Sequence, residues 1–498
     1  MKKIESLLLL SCRSPFLDDA KIYVPMANLY LKSYVNKYLP NINVTIGDDN
    51  YDLSNPEMFE PYDAIGLSIM TPQREEASKI LHTIKQKYPE KIVIAGGPHV
   101  KHYLGDILRT KEQYDYLIPL DGEKALTGIL SGDTEKFIHS YSRTGRSKDR
   151  KSFVLENYEC PRIINHFMTK DDISNQPRPD RTSQNAMSIV QSYHYSLGGR
   201  ASTTMMTSRG CPEHCTFCED AQTAVKWSSL DNLIMEMEDI KNLGYGGVYI
   251  FDDLFAIAKD KVEPIVKELY KRDLIYRCNS QARYFTKWGE EFAKLLSDTG
   301  CYEIAFGAET GSQKILDNIE KRTTIDMNYK TVEYANKHGI IVKAFMLLGL
   351  PGEDETTLKE TETFIDFLMN NSVNGTDKRN DFGAYVYMPF KGTYIRDSLD
   401  RGEEIGLKML VPEVSGAYGV KGGETSYEIQ TKDLSAQSLK EFRNYLVEKY
   451  RPVSSKEKWK NKFHDTHLVT NVEYGDLIDL DDPNNGNGEQ SKLIGKNK

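Results

Sequence analysis

The sequence predicts an α/β protein in two parts, a doubly wound parallel sheet followed by a partial (β/α)6 barrel. Three observations predict it. Short apolar runs alternate with helical patterns over residues 1–130. A second alternating series starts near residue 201 and holds six candidate strands. The 498 residues are 39% hydrophobic and 28% charged, an ordinary globular composition with length for about three domains.

In the first series, residues 4–10 are a short apolar run, read as a buried strand. The start, MKKIESLLLLSC, superficially resembles a lipoprotein signal, but Glu5 interrupts it. A secretory core needs roughly 7–15 apolar residues. Residues 64–70 form the next strand, and Thr71-Pro72 read as a cap and first helical position. Ala77, Ile80, Leu81 and Ile84 follow at helical spacing. Residues 91–95 are a third strand and 114–119 a fourth. Uniformly apolar strands imply a parallel sheet covered on both faces. Such sheets bind ligands beyond their carboxyl ends. Those ends carry Ser68, Gly96, Gly97, Gly122 and Glu123.

Residues 136–200 read as a connector, with a basic run over 142–152 and a proline-rich stretch at 176–181. Barrel strands are expected at 202–207, 247–251, 275–280, 303–307, 340–348 and 382–387. Most gaps hold one helix plus loops. The clearest helix is 228–243, where Leu230, Leu233, Ile234, Met237 and Ile240 share one face. Six units make an open barrel rather than a closed eight-fold one. An extension over 399–475 includes a helix at 438–449, and the polar residues 476–498 are expected to be disordered. No apolar stretch reaches the roughly 18 residues of a membrane helix. A net charge of −9 speaks against a general nucleic-acid surface, though not against a local basic groove.

The seven cysteines are Cys12, Cys160, Cys211, Cys215, Cys218, Cys278 and Cys301, an odd and sparse set that is no disulfide framework. Three lie in Ser208-Arg209-Gly210-Cys211-Pro212-Glu213-His214-Cys215-Thr216-Phe217-Cys218, directly after the first barrel strand. Three thiolates so close can hold a four-iron cluster and leave one iron open to an outside ligand. Spacing alone leaves zinc open, but zinc wants a fourth ligand. His214 sits between two of the cysteines, where local geometry rarely closes a tetrahedron. Cys12, Cys278 and Cys301 read as buried small hydrophobes.

The C-x3-C-x2-C motif, with Phe217 beside its last cysteine, resembles that of radical S-adenosylmethionine (SAM) enzymes. The resemblance covers roughly residues 200–395. It implies a 4Fe–4S cluster on Cys211, Cys215 and Cys218 whose open iron chelates SAM. Reductive cleavage of SAM would then give a 5′-deoxyadenosyl radical. Asp252-Asp253 lie where these enzymes contact the SAM amino group, and Arg283 where a basic residue meets its carboxylate. Gly307-Ala308-Glu309-Thr310-Gly311-Ser312 resembles the G-x-E-[ST]-G-S segment, and Gly349-Leu350-Pro351-Gly352-Glu353 the G-[LF]-P-G-E segment. Met388-Pro389-Phe390-Lys391-Gly392-Thr393 resembles P-x-P-G-T, with Lys391 replacing the second proline.

The front region, 1–135, resembles the Rossmann-like cobalamin-binding domain that many of these enzymes carry. Ser68-Ile69-Met70, Gly96-Gly97-Pro98-His99 and a degraded Asp121-Gly122-Glu123-Lys124 stand at its lining segments. The D-x-H-x-x-G loop that supplies a cobalt-ligating histidine elsewhere is missing, which leaves loss of the cofactor open. The resemblance implies an enzyme that uses cobalamin for methyl transfer to an unactivated carbon or phosphorus of a small molecule, and the lack of a credible signal together with an oxygen-sensitive cluster points to the cytoplasm. It also implies an electron donor such as a flavodoxin or ferredoxin. Other readings are a cobalamin-independent radical SAM enzyme, such as a methylthiotransferase or one that rearranges or cyclises its substrate, and a non-enzymatic metal-cluster scaffold. Methylthiotransferases carry three further front-domain cysteines, and only Cys12 is present here.

Overall fold

The computed structural model describes residues 3–13, 21–47, 51–110, 112–134, 162–164, 166–375, 378–411 and 429–450. Cys160, the basic run and the polar tail lie outside them.

The front region runs β1 (Ser6–Ser11), α1 (Met26–Tyr38), β2 (Asn43–Gly47), β3 (Ala64–Ser68), α2 (Arg74–Lys87), β4 (Ile92–Gly96), α3 (Pro98–Thr110), β5 (Tyr116–Ile118), α4 (Gly122–Ser131) and β6 (Arg162–Ile163). The sheet is parallel throughout, in the order β2-β1-β3-β4-β5-β6. Helices α2 and α3 pack through Ala77, Ile80, Val100 and Leu104 on one face. On the other, Val35, Ala125 and Ile129 of α1 and α4 meet Leu7 and Leu9 of β1. The strand order reverses between β1 and β3, the switch point where such sheets take ligands. Sequence reasoning missed α1 and β2. In β2 only Val44 and Ile46 are apolar and buried, the half-pattern of an edge strand.

The connector is more ordered than expected. It supplies β6 to the front sheet and then α5 (Lys170–Asn175), α6 (Gln184–Gln191) and β7 (Ser196–Leu197). Its Arg181 is fully buried and pairs with Glu236 at 2.7 Å.

The barrel follows as β8 (Arg200–Met205), β9 (Ser208–Arg209), β10 (Lys226–Trp227), α7 (Leu230–Asn242), β11 (Gly247–Ile250), α8 (Lys259–Lys271), β12 (Ile275–Ser280), α9 (Ala282–Asp298), β13 (Cys301–Glu309), α10 (Gln313–Asn318), α11 (Ile325–Lys337), β14 (Ile341–Leu348), α12 (Glu355–Asn370), β15 (Asp381–Val386) and α13 (Tyr394–Asp400). Strands β8 and β11–β15 are parallel and adjacent in sequence order, and β7 turns back antiparallel on β8. All six expected barrel strands are present, and Ser229 caps α7 by accepting from Asn232 N–H. Beyond the barrel stand β16 (Leu407–Met409), β17 (Ile429–Thr431) and α14 (Ala436–Tyr450). Helix α14 packs on the open-edge strand β15, with the rings of Tyr450 and Phe382 5.7 Å apart. Cys278 and Cys301 are buried in the barrel core. No described helix is long and apolar enough to cross a membrane.

Candidate functional site

The three clustered cysteines lie on a loop that the β9–β10 pair closes, Ser208 facing Trp227 and Arg209 facing Lys226. Its backbone is tied at each turn. Cys211 N–H donates to Thr223 Oγ1 at 2.7 Å, Thr216 N–H to the Ile319 carbonyl at 3.1 Å, and Ile395 N–H to the Thr216 carbonyl at 3.1 Å. Burial pushes the Cys211 thiol to about 11 and the Cys218 thiol to about 12. It also raises Cys215, against the pull of Lys321. A metal would have to displace those protons. Among the described residues, no three His, Cys, Asp or Glu side chains are gathered tightly enough for one metal ion. A zinc site would draw its thiolates to about 2.3 Å from one centre. A cubane takes one thiolate on each of three irons and needs no fourth protein ligand, so a donor set of three cysteines fits the cluster better. His214, the tempting fourth ligand, sits with its Nδ1 3.1 Å from Gln222 Nε2.

Asp252 and Asp253 follow β11 and hold this loop. Asp252 is fully buried and accepts from Thr207 N–H at 2.7 Å, from Ser208 Oγ at 2.8 Å and from the Thr207 hydroxyl. Burial pushes its carboxyl up to about 6, against those hydrogen bonds. Both its oxygens are occupied, so its position is that of a strut beneath the loop. Asp253 accepts from Gly210 N–H at 2.7 Å and stays exposed.

Glu309 ends β13 in a left-handed conformation, φ 64°, a strain typical of functional sites in a non-glycine residue. It is buried and pairs with buried Lys321 at 2.6 Å. A Cβ on Gly307 would fall 2.0 Å from Glu309 Oε1, so that glycine makes room for the carboxylate. Lys321 also lies 5.5 Å from the Phe217 ring centre. Arg283, at the start of α9, approaches Glu213 of the cysteine motif at 3.4 Å, and Tyr284 donates its hydroxyl to the same carboxylate.

The front sheet presents its carboxyl ends to this loop. Ser68 and Gly96 pair across β3 and β4. Gly97, φ 95°, lies against the Ile69 backbone, where a Cβ would come within 2.8 Å of the carbonyl oxygen. Its glycine therefore serves the packing of two strand-end loops. Asp121 and Glu123 cross to the barrel. Glu123 meets Arg209 at 2.7 Å, and Asp121 meets Arg209 at 3.8 Å and Lys226 at 3.6 Å. At the motif's other end, His102 of α3 lies 2.6 Å from Glu219 and Lys101 3.5 Å from Asp220. Lys391 reaches Asp106 of α3 at 2.6 Å, which explains a lysine in place of the second proline.

The sequence profile of the radical SAM superfamily matches residues 205–365, the stretch that holds the three thiols, Asp252, Asp253, Arg283 and Glu309. Residues 205–365 are therefore a radical SAM domain. It is 28% identical over 345 residues to an uncharacterized methyltransferase of Pyrococcus horikoshii, covering 67% of this chain and 68% of that one. Its fold matches that of TsrM, a radical SAM methyltransferase of Kitasatospora setae solved with cobalamin and a 4Fe–4S cluster. The TM-score is 0.65 at 14% identity, over 91% of this chain and 92% of that one. It also matches OxsB, a cobalamin-dependent SAM radical enzyme solved with aqua-cobalamin and SAM. There the TM-score is 0.68 at 16% identity, over 93% of this chain and 71% of that one. The α/β architecture, a doubly wound sheet before an open half-barrel, is therefore the fold that this chain shares with TsrM and OxsB.

Sequence reasoning missed the partners of the expected residues. Lys321 lies after a short helix in a polar run, and nothing local marks it as buried. The acids of the degraded Asp121-Gly122-Glu123 segment read as a ligand lining, yet they bond Arg209 and Lys226. Only the burial of Arg209 inside the cysteine motif calls for such acids.

Proposed function

We propose that this protein is a cobalamin-dependent radical SAM methyltransferase acting on an unactivated carbon or phosphorus of a small molecule. Its parts are a cobalamin-binding front region over 1–135, a connector, a radical SAM barrel over 201–398 and a carboxy-terminal extension. One observation carries the reading: a closed loop bearing three free thiols faces the carboxyl ends of a doubly wound sheet. When bound, the cluster supplies one electron to SAM and cobalamin carries the methyl group.

The chain's own residues hold and orient these groups. Cys211, Cys215 and Cys218 ligate three irons. Asp253, Arg283 and Glu309 would hold SAM, with Lys321 fixing the Glu309 carboxylate. Asp252 contributes from below by fixing the loop. Ser68, Gly96 and Gly97, at the carboxyl ends of β3 and β4, would line the cobalamin site. The donor of electrons is a small redox protein such as a flavodoxin or ferredoxin, and the enzyme works in the cytoplasm.

Anaerobic purification, reconstitution with iron and sulfide, and addition of hydroxocobalamin test this reading. After desalting, about four irons and one cobalt per chain are expected. Four irons with no cobalt would refute the cobalamin role and leave hydrogen abstraction. Zinc without iron, even after reconstitution, would overturn the cluster itself.

A further inference from the structure

The inner wall of the half-barrel carries an aromatic group that the cofactor sites do not use. Along β12, Tyr276 and Cys278 join the outer core, so Arg277 and Asn279 point to the opposite, inner face. Arg277 lies over the Tyr249 ring, 4.5 Å from its centre. Around Tyr249 stand Phe251 at 5.0 Å, edge-on, Tyr23 at 5.8 Å and Tyr195 at 6.0 Å, and Tyr23 is 5.5 Å from Phe251. These rings come from three parts of the chain: the segment before α1, the residue before β7, and β11.

The cluster is only half covered. Tyr195 and Tyr249 are 7% and 5% exposed, whereas Tyr23 and Phe251 each keep 43%. That is unusual for rings that already pack on one another. The uncovered surface begins beside the cysteine loop, because Phe251 directly precedes Asp252 and Asp253. Asn279 ties the two together. It accepts from Tyr249 Oη at 2.9 Å and donates to the Asp252 carbonyl at 3.0 Å. Behind the rings, Arg277 Nε and Glu303 Oε1 approach to 3.1 Å. Both atoms are buried, and neither has an aligned hydrogen bond among the described residues. Their charges cancel, so the ring cluster rests on a base with no net charge.

We propose that the substrate carries a planar aromatic ring. The ring lies against the exposed faces of Phe251 and Tyr23 at the barrel's inner wall. Offset and edge-on ring contacts favour a flat partner over a puckered one of equal carbon count. This deepens the proposed function and rests on it for the chemistry done to the ring, though not for the binding.

The test is equilibrium binding to the full-length protein without SAM, read by ligand-observed saturation-transfer NMR. The probes are 2-naphthol and its saturated counterpart decahydro-2-naphthol, which share a hydroxyl and a carbon skeleton. The expected result is binding of 2-naphthol at least about threefold to tenfold tighter. Phe251→Leu should erase that preference, and Phe251→Tyr should keep it. Equal or tighter binding of the more apolar saturated probe would overturn the proposal. So would a preference that survives Phe251→Leu. Iron content and circular dichroism of each variant show that it is folded. Cleavage of SAM by the reconstituted wild-type protein is scored separately. Loss of that activity with the naphthol preference intact sinks the proposed function alone, and the converse sinks only the aromatic site.

Discussion

Asp252→Ala should loosen the cysteine loop by removing an acceptor that three donors share. The Thr207 N–H, at 2.7 Å, is part of the backbone and has nowhere else to turn. The hydroxyls of Thr207 and Ser208 can rotate. A buried donor left without its partner costs about 1–3 kcal/mol. One fixed and two rotatable donors therefore put the loss at about 2–4 kcal/mol. For a domain of this size that lowers the melting midpoint by roughly 5–10 °C. Trp227 pairs with Ser208 across β9 and β10, so in a background with Trp288→Phe and Trp459→Phe its fluorescence reports on the loop. Asp252→Asn keeps one acceptor oxygen and removes the buried charge, so it should cost less than about 1 kcal/mol. A pH signature accompanies the pair. Burial pushes the carboxyl from 3.8 to about 6, so the folded state binds the proton more tightly than the unfolded one. Wild-type stability should therefore be lost as pH rises from about 4 to about 6, and Asp252→Asn should flatten that slope. Iron per chain after reconstitution should fall in the alanine variant and hold in the asparagine variant. An alanine variant with wild-type melting and full iron would refute the strut argument. An asparagine variant as damaged as the alanine would mean that the charge, not the acceptor, matters.

Three further perturbations separate packing from charge. Burial pushes Glu353 from 4.5 to about 8, and its Oε1 has no partner among the described residues; the folded state again holds the proton more tightly, so stability should be lost as pH rises from about 4.5 to about 8. Glu353→Gln should remove that part of the slope in melts taken from pH 5 to 9, and a parallel slope would count against it. Lys321→Met leaves the Glu309 carboxylate buried without its partner and should cost about 3–5 kcal/mol, whereas Lys321→Met with Glu309→Gln should recover most of it in the same melts. Arg209→Met strands Glu123 in the same way; limited proteolysis should then cut between the front sheet and the barrel faster, and adding Glu123→Gln should slow it again.

Much of the fold could be read from period and punctuation. The barrel strands are runs such as those in β14, where Ile341, Val342, Ala344, Met346 and Leu348 are buried. Helix α7 shows its core face and its serine cap in the sequence itself. Edge elements were harder. Strand β2 has two apolar residues, and β6 and β7 have two residues each, too short for any period to register. Helix α1 was missed for a different reason. It buries residues on two sides, Val35 against the front sheet and Leu29 and Tyr30 against the barrel, which blurs a single apolar stripe. At the site, the cysteine spacing is local and could be read. The roles of Lys321, Glu123 and His102 depend on contacts between residues 12 to 117 positions apart, which no motif spacing encodes.

Those distant contacts also change what the front region does. The cysteine loop has two ends, and the front region holds both. Arg209, two residues before Cys211, is gripped by Glu123 and Asp121. Glu219 and Asp220, directly after Cys218, are met by His102 and Lys101 of α3. Helix α3 starts at the Gly97-Pro98 turn, which packs against Ile69 at the end of β3. Any ligand that spreads the carboxyl ends of β3 and β4 must therefore push on α3. Through His102 and Lys101 it would push on the segment after Cys218. The front sheet thus contacts both ends of the cysteine loop, so the loop's backbone depends on both parts of the fold.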